Sequence, residues 1–352
     1  MIFFLFLVFA GLYYARAFLI PVAFAGLLSM LFLPISRKLE NRGWSRAMAV
    51  LVCVLMLVLV IAGIVGLITW QITDLASDVN NMEQSVQQMI NKFRQFISTN
   101  LGISKEQQDQ LLKSQQSSGG QAGSILTGFA GSVMGILVDL LLVLVYIFLF
   151  MYFRRHLKAF ILKLVPQAEK KNAQSIIHDI QQVAQQYLSG LGLMIVGLWI
   201  MYSIGFSIVG VKNAFFFAIL CGLLEIVPFV GNLTGNALTI LMALTQGGGI
   251  NMVIGILITY AIVQFIQSYI LEPLVVGAEV NINPLFTIII IVVGETVWGI
   301  AGMVLAIPLL GIVKIICDHI EPLKPYGFLI GEETKKKNKG GLIEKFKGWF
   351  KK

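Results

Sequence analysis

The sequence predicts an all-α polytopic membrane protein of about eight transmembrane helices, some broken or re-entrant, with an extracytoplasmic helical segment. Of its 352 residues 57% are hydrophobic and 12% are charged, whereas globular chains carry about 25% charged residues. Apolar blocks of about 20 residues, long enough to cross some 30 Å of hydrocarbon as a helix, recur along the chain. They lack the alternating pattern that would indicate a transmembrane β-barrel.

Apolar blocks and polar stretches divide the chain into six parts: three spans in 1–70, a polar segment 71–123, a fourth span in 124–153, a basic segment 154–189, a block of four spans in 190–317, and a tail 318–352. The expected spans are Met1–Ala15, Ala17–Leu33, Ala47–Trp70, Ser124–Phe153, Gly190–Val209, Ala214–Leu244, Ile250–Leu271 and Leu285–Cys317. Among the last four, Ala214–Leu244 and Leu285–Cys317 are longer than one crossing requires, which favours a tilt, a break or a re-entrant loop.

The polar segment 71–123 contains a heptad pattern, because apolar residues recur in it at alternating steps of three and four. The seam consists of Ile72, Leu75, Val79, Met82, Val86, Met89, Phe93 and Phe96. It predicts a helix that either packs back on its own protein or contacts another subunit outside the bilayer.

Two basic stretches are expected at the membrane surface. Segment 154–189 combines basic residues with an apolar face, which predicts a helix lying along the membrane or docked beneath the bundle. The lysine-rich tail, with aromatic residues among its lysines, is either a solvated tail or a contact with anionic lipids.

Lysine and arginine are distributed unevenly between the two predicted sides of the membrane. Residues 37–46, 154–190 and those from Lys314 onward hold 20 of the 26 basic residues. Because cytoplasmic loops are enriched in these residues, both termini are expected in the cytoplasm and the heptad segment outside. The connection 272–284 has two glutamates and no basic residue, so it is expected outside as well.

A first group of polar residues interrupts the span that begins at Ala214. Glu225 is followed by Pro228, Gly231, Asn232 and Asn236. Proline removes a helix hydrogen bond, and an acid inside a span is costly without a function or a partner. The group predicts a helix break on a solute or ion pathway, with Glu225 accepting a proton or cation. The alternative is a glutamate near a helix end that reaches water.

A second group lies on the last two spans. Gln264 and Gln267 stand three residues apart and either line the pathway or form interhelical hydrogen bonds. Glu295 has glycines around it, among them Gly302; these either break the helix or allow close packing. Asp139 is a possible further intramembrane acid.

Enzymatic and nucleic-acid functions are not supported by the motifs. The chain has no nucleophile elbow, HExxH motif or P-loop, and its isolated histidines and cysteines predict no metal site. No cofactor is expected. The net charge of +8 is distributed as a membrane surface requires, and no nucleic-acid partner is expected.

Four stretches resemble the autoinducer-2 exporter (AI-2E) family, also known as PerM-type predicted permeases: residues 224–231, 267–277, 283–285 and 299–308. The resemblance implies a multi-pass protein of the bacterial inner membrane that forms homo-oligomers, with pentamers the expectation. Some members export autoinducer-2, and similar proteins are described as sodium(lithium)/proton antiporters. The family's motifs fall on Glu225 and Pro228, and on Glu272, Pro273 and Gly277.

Three functions remain open from the sequence. The first is an inner-membrane secondary transporter that exports a small polar solute such as autoinducer-2, coupled to an ion or proton. The second is a monovalent cation/proton antiporter that uses the same acids. The third is a non-transporting membrane scaffold. The expected partners are membrane lipids, a small polar solute or a monovalent cation and proton, and further copies of the chain.

Overall fold

The computed structural model describes residues 2–76, 139–228, 230–245, 248–276 and 282–332. Regular structure in these residues is helical: α1 Ile2–Tyr14, α2 Arg16–Glu40, α3 Arg46–Ala76, α4 Asp139–Tyr152, α5 Arg154–Leu164, α6 Lys170–Val209, α7 Ala214–Leu224, α8 Val230–Thr245, α9 Ile250–Ile266, a π-helical segment Gln267–Val276, α10 Pro284–His319 and α11 Lys324–Ile330. This confirms the predicted all-α polytopic membrane class.

Five helices in the described ranges are long and apolar enough to cross a membrane, and six if the bent pair α4–α5 is one span. The sequence suggested about eight spans over the whole chain. Part of the difference lies in the block Ala214–Leu244, which the structure divides into two shorter helices, α7 and α8. Helix α10 is counted among the five by its length, although it reverses direction within that length.

The first packed unit joins α2, α3 and α4. Its buried core consists of Ala25, Phe32, Val50, Cys53, Ile147 and Met151. At one end of the unit, the Arg154 guanidinium donates to both carboxylate oxygens of Glu40, at 2.7 and 2.6 Å, and to Ser36 Oγ at 3.2 Å. The ion pair ties the end of α2 to the start of α5.

The second unit is built on α6, whose 40 residues extend about 60 Å. The helix continues without a break from the basic segment into the span that the sequence separated at residue 190. Helices α7, α8 and α9 pack around its C-terminal half, with a core that includes Met194, Leu198, Tyr202, Phe206, Phe217, Cys221, Met242 and Ile256. Gly197 packs on Leu271 and Gly205 on Thr259, so α6 and α9 run antiparallel.

Helices α7 and α8 form a hairpin. They have 11 and 16 residues, about 16 and 24 Å, and neither is long enough to cross the bilayer alone. The arms touch through their backbones, because a β-carbon on Gly231 would lie 1.6 Å from the carbonyl oxygen of Leu224. One on Gly235 would lie 3.0 Å from Cys221 Cα. Glycine is therefore required where the arms meet.

The long helix α10 is also a hairpin. Gly299 has φ 61° and ψ −142°, which is not helical and which residues with a β-carbon rarely adopt. A β-carbon on Gly302 would lie 1.9 Å from the carbonyl oxygen of Gly294. Eight residues of straight helix would separate the two by about 12 Å, so the chain reverses between them. The arms are 284–298 and 300–319.

The two hairpins enter the bundle from opposite ends. The α7–α8 hairpin starts just after α6 ends at Val209 and returns to where α9 begins. The α10 hairpin has its base beside the first half of α6, where the Asn172 side chain donates to the His319 carbonyl at 3.4 Å and His319 Nε2 lies 3.2 Å from Asp179 Oδ2.

One topological prediction is wrong. The connection 272–284 was expected on the opposite side of the membrane from the tail, but Asn283 N donates to the Ile330 carbonyl at 2.9 Å and Ile282 pairs with Gly331. The two segments therefore lie at the same end of the bundle. The physical reason is the reversal at Gly299, which returns α10 to the end where it started. Hydropathy alone predicts the length of an apolar segment, but not whether the chain reverses direction within it.

Candidate functional site

A polar network joins α6, α8 and α9 inside the apolar second unit. Asn236 Nδ2 donates to Asn232 Oδ1 at 3.0 Å and to Tyr202 Oη at 3.4 Å, and Tyr202 Oη donates to Asn232 Oδ1 at 3.5 Å. Asn232 Nδ2 donates to Gln264 Oε1, and Gln264 Nε2 reaches Ser268 Oγ at 3.4 Å. Asn232 and Asn236 are buried, so the network replaces part of the water that these amides have lost. Asn236 Oδ1 is buried without a hydrogen-bond partner among the described residues.

Beside this network, Glu225 pairs with Gln267. Gln267 Nε2 donates to Glu225 Oε1 at 2.8 Å, and Gln267 is only 4% exposed. The other oxygens of the two groups, Glu225 Oε2 and Gln267 Oε1, are buried and have no hydrogen-bond partner among the described residues. We call these two atoms the acceptor pair. Buried polar atoms are almost always hydrogen-bonded, so the acceptor pair is a place where a donor or a cation would be stabilised.

The broken backbone places Glu225 at this position. Helix α7 ends at Leu224, and Pro228 cannot donate a hydrogen bond to continue it. Beyond the turn, Gly231 N donates to the Val227 carbonyl at 3.0 Å. Glu225 therefore stands at the tip of a hairpin, where its carboxylate reaches across to α9.

The partner side chain follows from a second irregularity. Helix α9 widens into a π-helical segment at Gln267, and π-helical turns occur frequently at functional sites. Gln264 and Gln267 lie on either side of this transition. Gln264 is hydrogen-bonded to Asn232 of the network and Gln267 to Glu225. The change of helix type therefore lies between the two glutamines that make these contacts.

Glu295, at the tip of the α10 hairpin, has different surroundings. Its side chain is exposed, and it forms no hydrogen bond or ion pair with a described residue. The neighbouring Trp298 Nε1 donates to the Leu12 carbonyl at 3.0 Å, which holds the tip against α1. Gly294 and Gly302 serve the backbone contact described above.

The structure thus brings together part of the sequence-predicted site: Glu225, Pro228, Gly231, Asn232, Asn236, Gln264 and Gln267. Glu272 lies one turn beyond Gln267, is exposed, and is close enough to Glu225 for their charges to interact. Glu295 and Gly302 lie on the other hairpin. The transport role of all these residues remains a prediction.

The remaining sequence-predicted residues lie away from this network or outside the described residues. Asp139 is the first described residue of α4 and is exposed. Pro273 lies in the π-helical segment, whereas Gly277 is outside the described residues. The heptad seam is also outside them, apart from Ile72 and Leu75 in the last turns of α3. Within the described ranges, no group of His, Cys, Asp and Glu is placed to hold a metal ion.

Sequence reasoning missed two members of the network, Tyr202 and Ser268. Tyr202 is fully buried, and its phenol is the contact that α6 makes with the two asparagines. A tyrosine in an apolar run usually belongs to the core, so its type and spacing gave no signal. Ser268, four residues after Gln264, could have been found from helical spacing.

Comparison with known proteins identifies the family. The profile of the family described as "AI-2E family transporter" matches residues 2–321. The chain is 23% identical over 312 residues to "Putative transport protein YrrI" of Bacillus subtilis (strain 168), which covers 86% of this chain and 87% of that one. It is 24% identical over 304 residues to "Putative transport protein YueF" of the same organism, with 84% and 82% covered.

A protein from a second bacterium is also similar to this chain. "Putative transport protein YhhT" of Escherichia coli (strain K12) is 22% identical over 331 residues, with 92% of this chain and 90% of that one covered. The family is one of transporters and not of enzymes. With its apolar helices and near full-length match, the chain is a multi-pass membrane protein that belongs to the AI-2E transporter family.

Proposed function

We propose that the protein exports a small polar solute, such as the quorum-sensing signal autoinducer-2, along a pathway past the tip of the α7–α8 hairpin. The observation that carries the proposal is the acceptor pair, since Glu225 Oε2 and Gln267 Oε1 are buried without a donor. A solute that presents hydroxyl groups supplies the missing donors. The family supports transport, and autoinducer-2 comes from what some members carry.

Glu225 is the coupling group in this proposal. A carboxylate in an apolar span is stabilised by a proton or cation, and no basic side chain is hydrogen-bonded to it in the described residues. Binding of a proton at Oε2 would give the carboxyl a donor of its own. Release of that proton would restore an acceptor for the solute.

The asparagine network has a positioning role. It holds the second arm of the hairpin, α8, between α6 and α9, through Tyr202 on one side and Gln264 on the other. Movement of the hairpin relative to these helices would break the network. The same movement would separate Glu225 from Gln267.

A second candidate is exchange of a monovalent cation for protons. Oxygen atoms of a carboxylate and an amide are ligands that hard cations prefer, and the acceptor pair offers one of each. In this case the cation binds where the solute's hydroxyl groups would otherwise bind.

The setting of the transporter also remains a proposal. We place it in the bacterial cytoplasmic membrane with both termini in the cytoplasm, because the 37–46 loop, segment 154–171 and Lys314 lie at the end of the bundle that also holds His319 and Gly331. Basic residues are enriched on the cytoplasmic side. A homo-oligomer, with a pentamer as the family expectation, completes the assembly.

The test is transport by the purified protein in proteoliposomes. Autoinducer-2 efflux and sodium- or lithium-driven proton exchange are measured on the same preparation, for wild type, Glu225→Gln and Glu295→Gln. Glu295→Gln is the matched control, since it removes an equivalent charge from the other hairpin tip. Hydrogen bonds to charged groups contribute about 1.5–3 kcal/mol, so we expect Glu225→Gln to slow transport at least about tenfold. Glu295→Gln should stay within about twofold of wild type, because an exposed charge contributes little.

Each outcome distinguishes one candidate. Solute efflux that is lost in Glu225→Gln alone supports the exporter, whereas cation exchange without solute movement supports the antiporter. Equal losses in both variants contradict the assignment of the site. If folded protein shows neither flux, transport of these substrates is excluded and the scaffold hypothesis gains support.

A further inference from the structure

Helix α5 (Arg154–Leu164) is an amphipathic helix with no fully buried residue. Leu157, Phe160, Ile161 and Leu164 are 39, 56, 43 and 69% exposed. Their spacing of i, i+3, i+4 and i+7 puts them on one face of the helix. An exposed apolar face of this kind is stable in water only if something covers it.

The opposite face of α5 is cationic. Arg155, Lys158 and Lys163 are exposed, and none of them forms an ion pair with another residue in the described part of the chain. The surface that covers α5 must therefore offer apolar groups to the apolar face of the helix. It must also offer anionic groups to the basic residues beside that face. A bilayer of anionic lipids combines both.

The geometry at Phe153 supports the same surface. Helix α5 bends by 67° from α4, the apolar helix before it. If α4 crosses the membrane, α5 lies close to the membrane plane. The charge-assisted hydrogen bonds from Arg154 to Glu40 fix the start of α5 at the end of α2, so the helix is held where the spans meet the membrane surface.

The composition of α5 argues against a continuation of the span. Four basic residues and one histidine fall within 11 residues. Each lysine or arginine at the centre of a bilayer costs about 2.5–3.5 kcal/mol on insertion scales. At the headgroup layer the same charges are favourable, at about 1 kcal/mol each near an anionic leaflet.

We propose that α5 lies in the headgroup layer of the membrane, with Phe160 and its apolar neighbours among the acyl chains and Arg155, Lys158 and Lys163 bound to anionic lipid headgroups. The contact anchors the start of α6, which carries Tyr202 of the polar network. It is independent of the solute and does not rest on the proposed function.

Spin labels at two neighbouring positions of the full-length protein in nanodiscs test this arrangement. Phe160→Cys and Lys158→Cys, each carrying a nitroxide, are about 200° apart around the helix, so they report its two faces. The native Cys53, Cys221 and Cys317 are buried, and unsubstituted protein measures their background labelling. Accessibility is compared between oxygen, which enters acyl chains, and a water-soluble nickel complex.

We expect the oxygen-to-nickel accessibility ratio to be several-fold higher at position 160 than at position 158. In discs with anionic lipid, the label at 160 should move deeper than in neutral discs. The paired change Lys158→Gln and Lys163→Gln, combined with the label at 160, should remove that difference, since each lost charge weakens the contact about fivefold. Lys38→Gln, on α2 at the same end of the bundle, is the control. It should leave the difference in label depth between anionic and neutral discs unchanged.

Three results would contradict the proposal. Equal nickel accessibility at both positions would show that the apolar face is in water. A label at position 160 that is immobilised and shielded from both reagents would show that protein covers the face, and a second copy of the chain would then be the occupant. If the label at position 160 lies equally deep in anionic and in neutral discs, the contact with anionic headgroups is contradicted.

Discussion

The α7–α8 hairpin and the α10 hairpin reverse the chain by the same means and carry one glutamate each at their tips. Gly231 meets the Leu224 carbonyl in the first, and Gly302 meets the Gly294 carbonyl in the second. Their glutamates have opposite surroundings. Glu225 is hydrogen-bonded to buried Gln267, whereas Glu295 is exposed and has no described partner.

The comparison shows that an acid beside a helix break is not sufficient to identify a site. Both glutamates satisfy that description in the sequence. What separates them is the neighbouring helix: the π-helical end of α9 brings the Gln267 amide to Glu225, whereas Glu295 has no amide of a described residue bonded to it. Three changes test this distinction, taken from the largest expected effect to the smallest.

The largest effect is expected from the closing glycines. Gly231→Ala and Gly302→Ala would each put a β-carbon within 2 Å of a carbonyl oxygen, at 1.6 and 1.9 Å. Overpacking costs about 1–3 kcal/mol even where side chains can yield, and backbone yields less. We expect both variants to lose the folded species in size-exclusion chromatography and thermal unfolding. Gly26→Ala, on α2 with open space around it, should behave as wild type; equal tolerance of all three would contradict the backbone contacts.

An intermediate effect is expected from removal of the Gln267 amide, which is bonded to Glu225 and has no counterpart at Glu295 among the described residues. Gln267→Leu removes the donor from Glu225 and leaves that carboxylate half-buried without a partner, at a cost of about 1–3 kcal/mol. Initial transport rates in proteoliposomes should fall about tenfold while the protein remains folded. Thr296→Val, which removes a side-chain hydroxyl beside Glu295, is the matched change on the other hairpin and should alter the rate less than about twofold. A similar loss in both would mean that the amide has no special role.

The smallest effect is expected at the edge of the network. Tyr202→Phe removes a hydroxyl that makes two long contacts, at 3.4 and 3.5 Å. Hydrogen bonds between membrane helices contribute about 0.6 kcal/mol on average, so the unfolding temperature should fall by only a few degrees. Tyr326→Phe, which is exposed, should leave it unchanged. A loss of transport without any loss of stability would instead place the phenol on the solute pathway.

Much of this architecture could be predicted from the sequence, and the rest could not for physical reasons. The charge-free blocks predicted helices, and Pro228 and the glycines predicted breaks. Hydropathy does not distinguish a tilted span from a hairpin, so the last long block was left open between a tilt, a break and a re-entrant loop. The side on which residues 282–283 lie was therefore predicted wrongly. The pairing of Glu225 with Gln267 depends on how α7 and α9 pack, which spacing along one helix does not encode.

The contacts between Ile282–Asn283 and Ile330–Gly331 have a consequence for biosynthesis. They join residues on either side of the α10 hairpin, so the ribosome must make the whole hairpin and α11 before its base can be fastened. Until then the two arms are held by the glycine contacts at their tip and by neighbouring helices. Because chains fold progressively from the N-terminus during synthesis, this hairpin is among the last parts of the described chain to be secured.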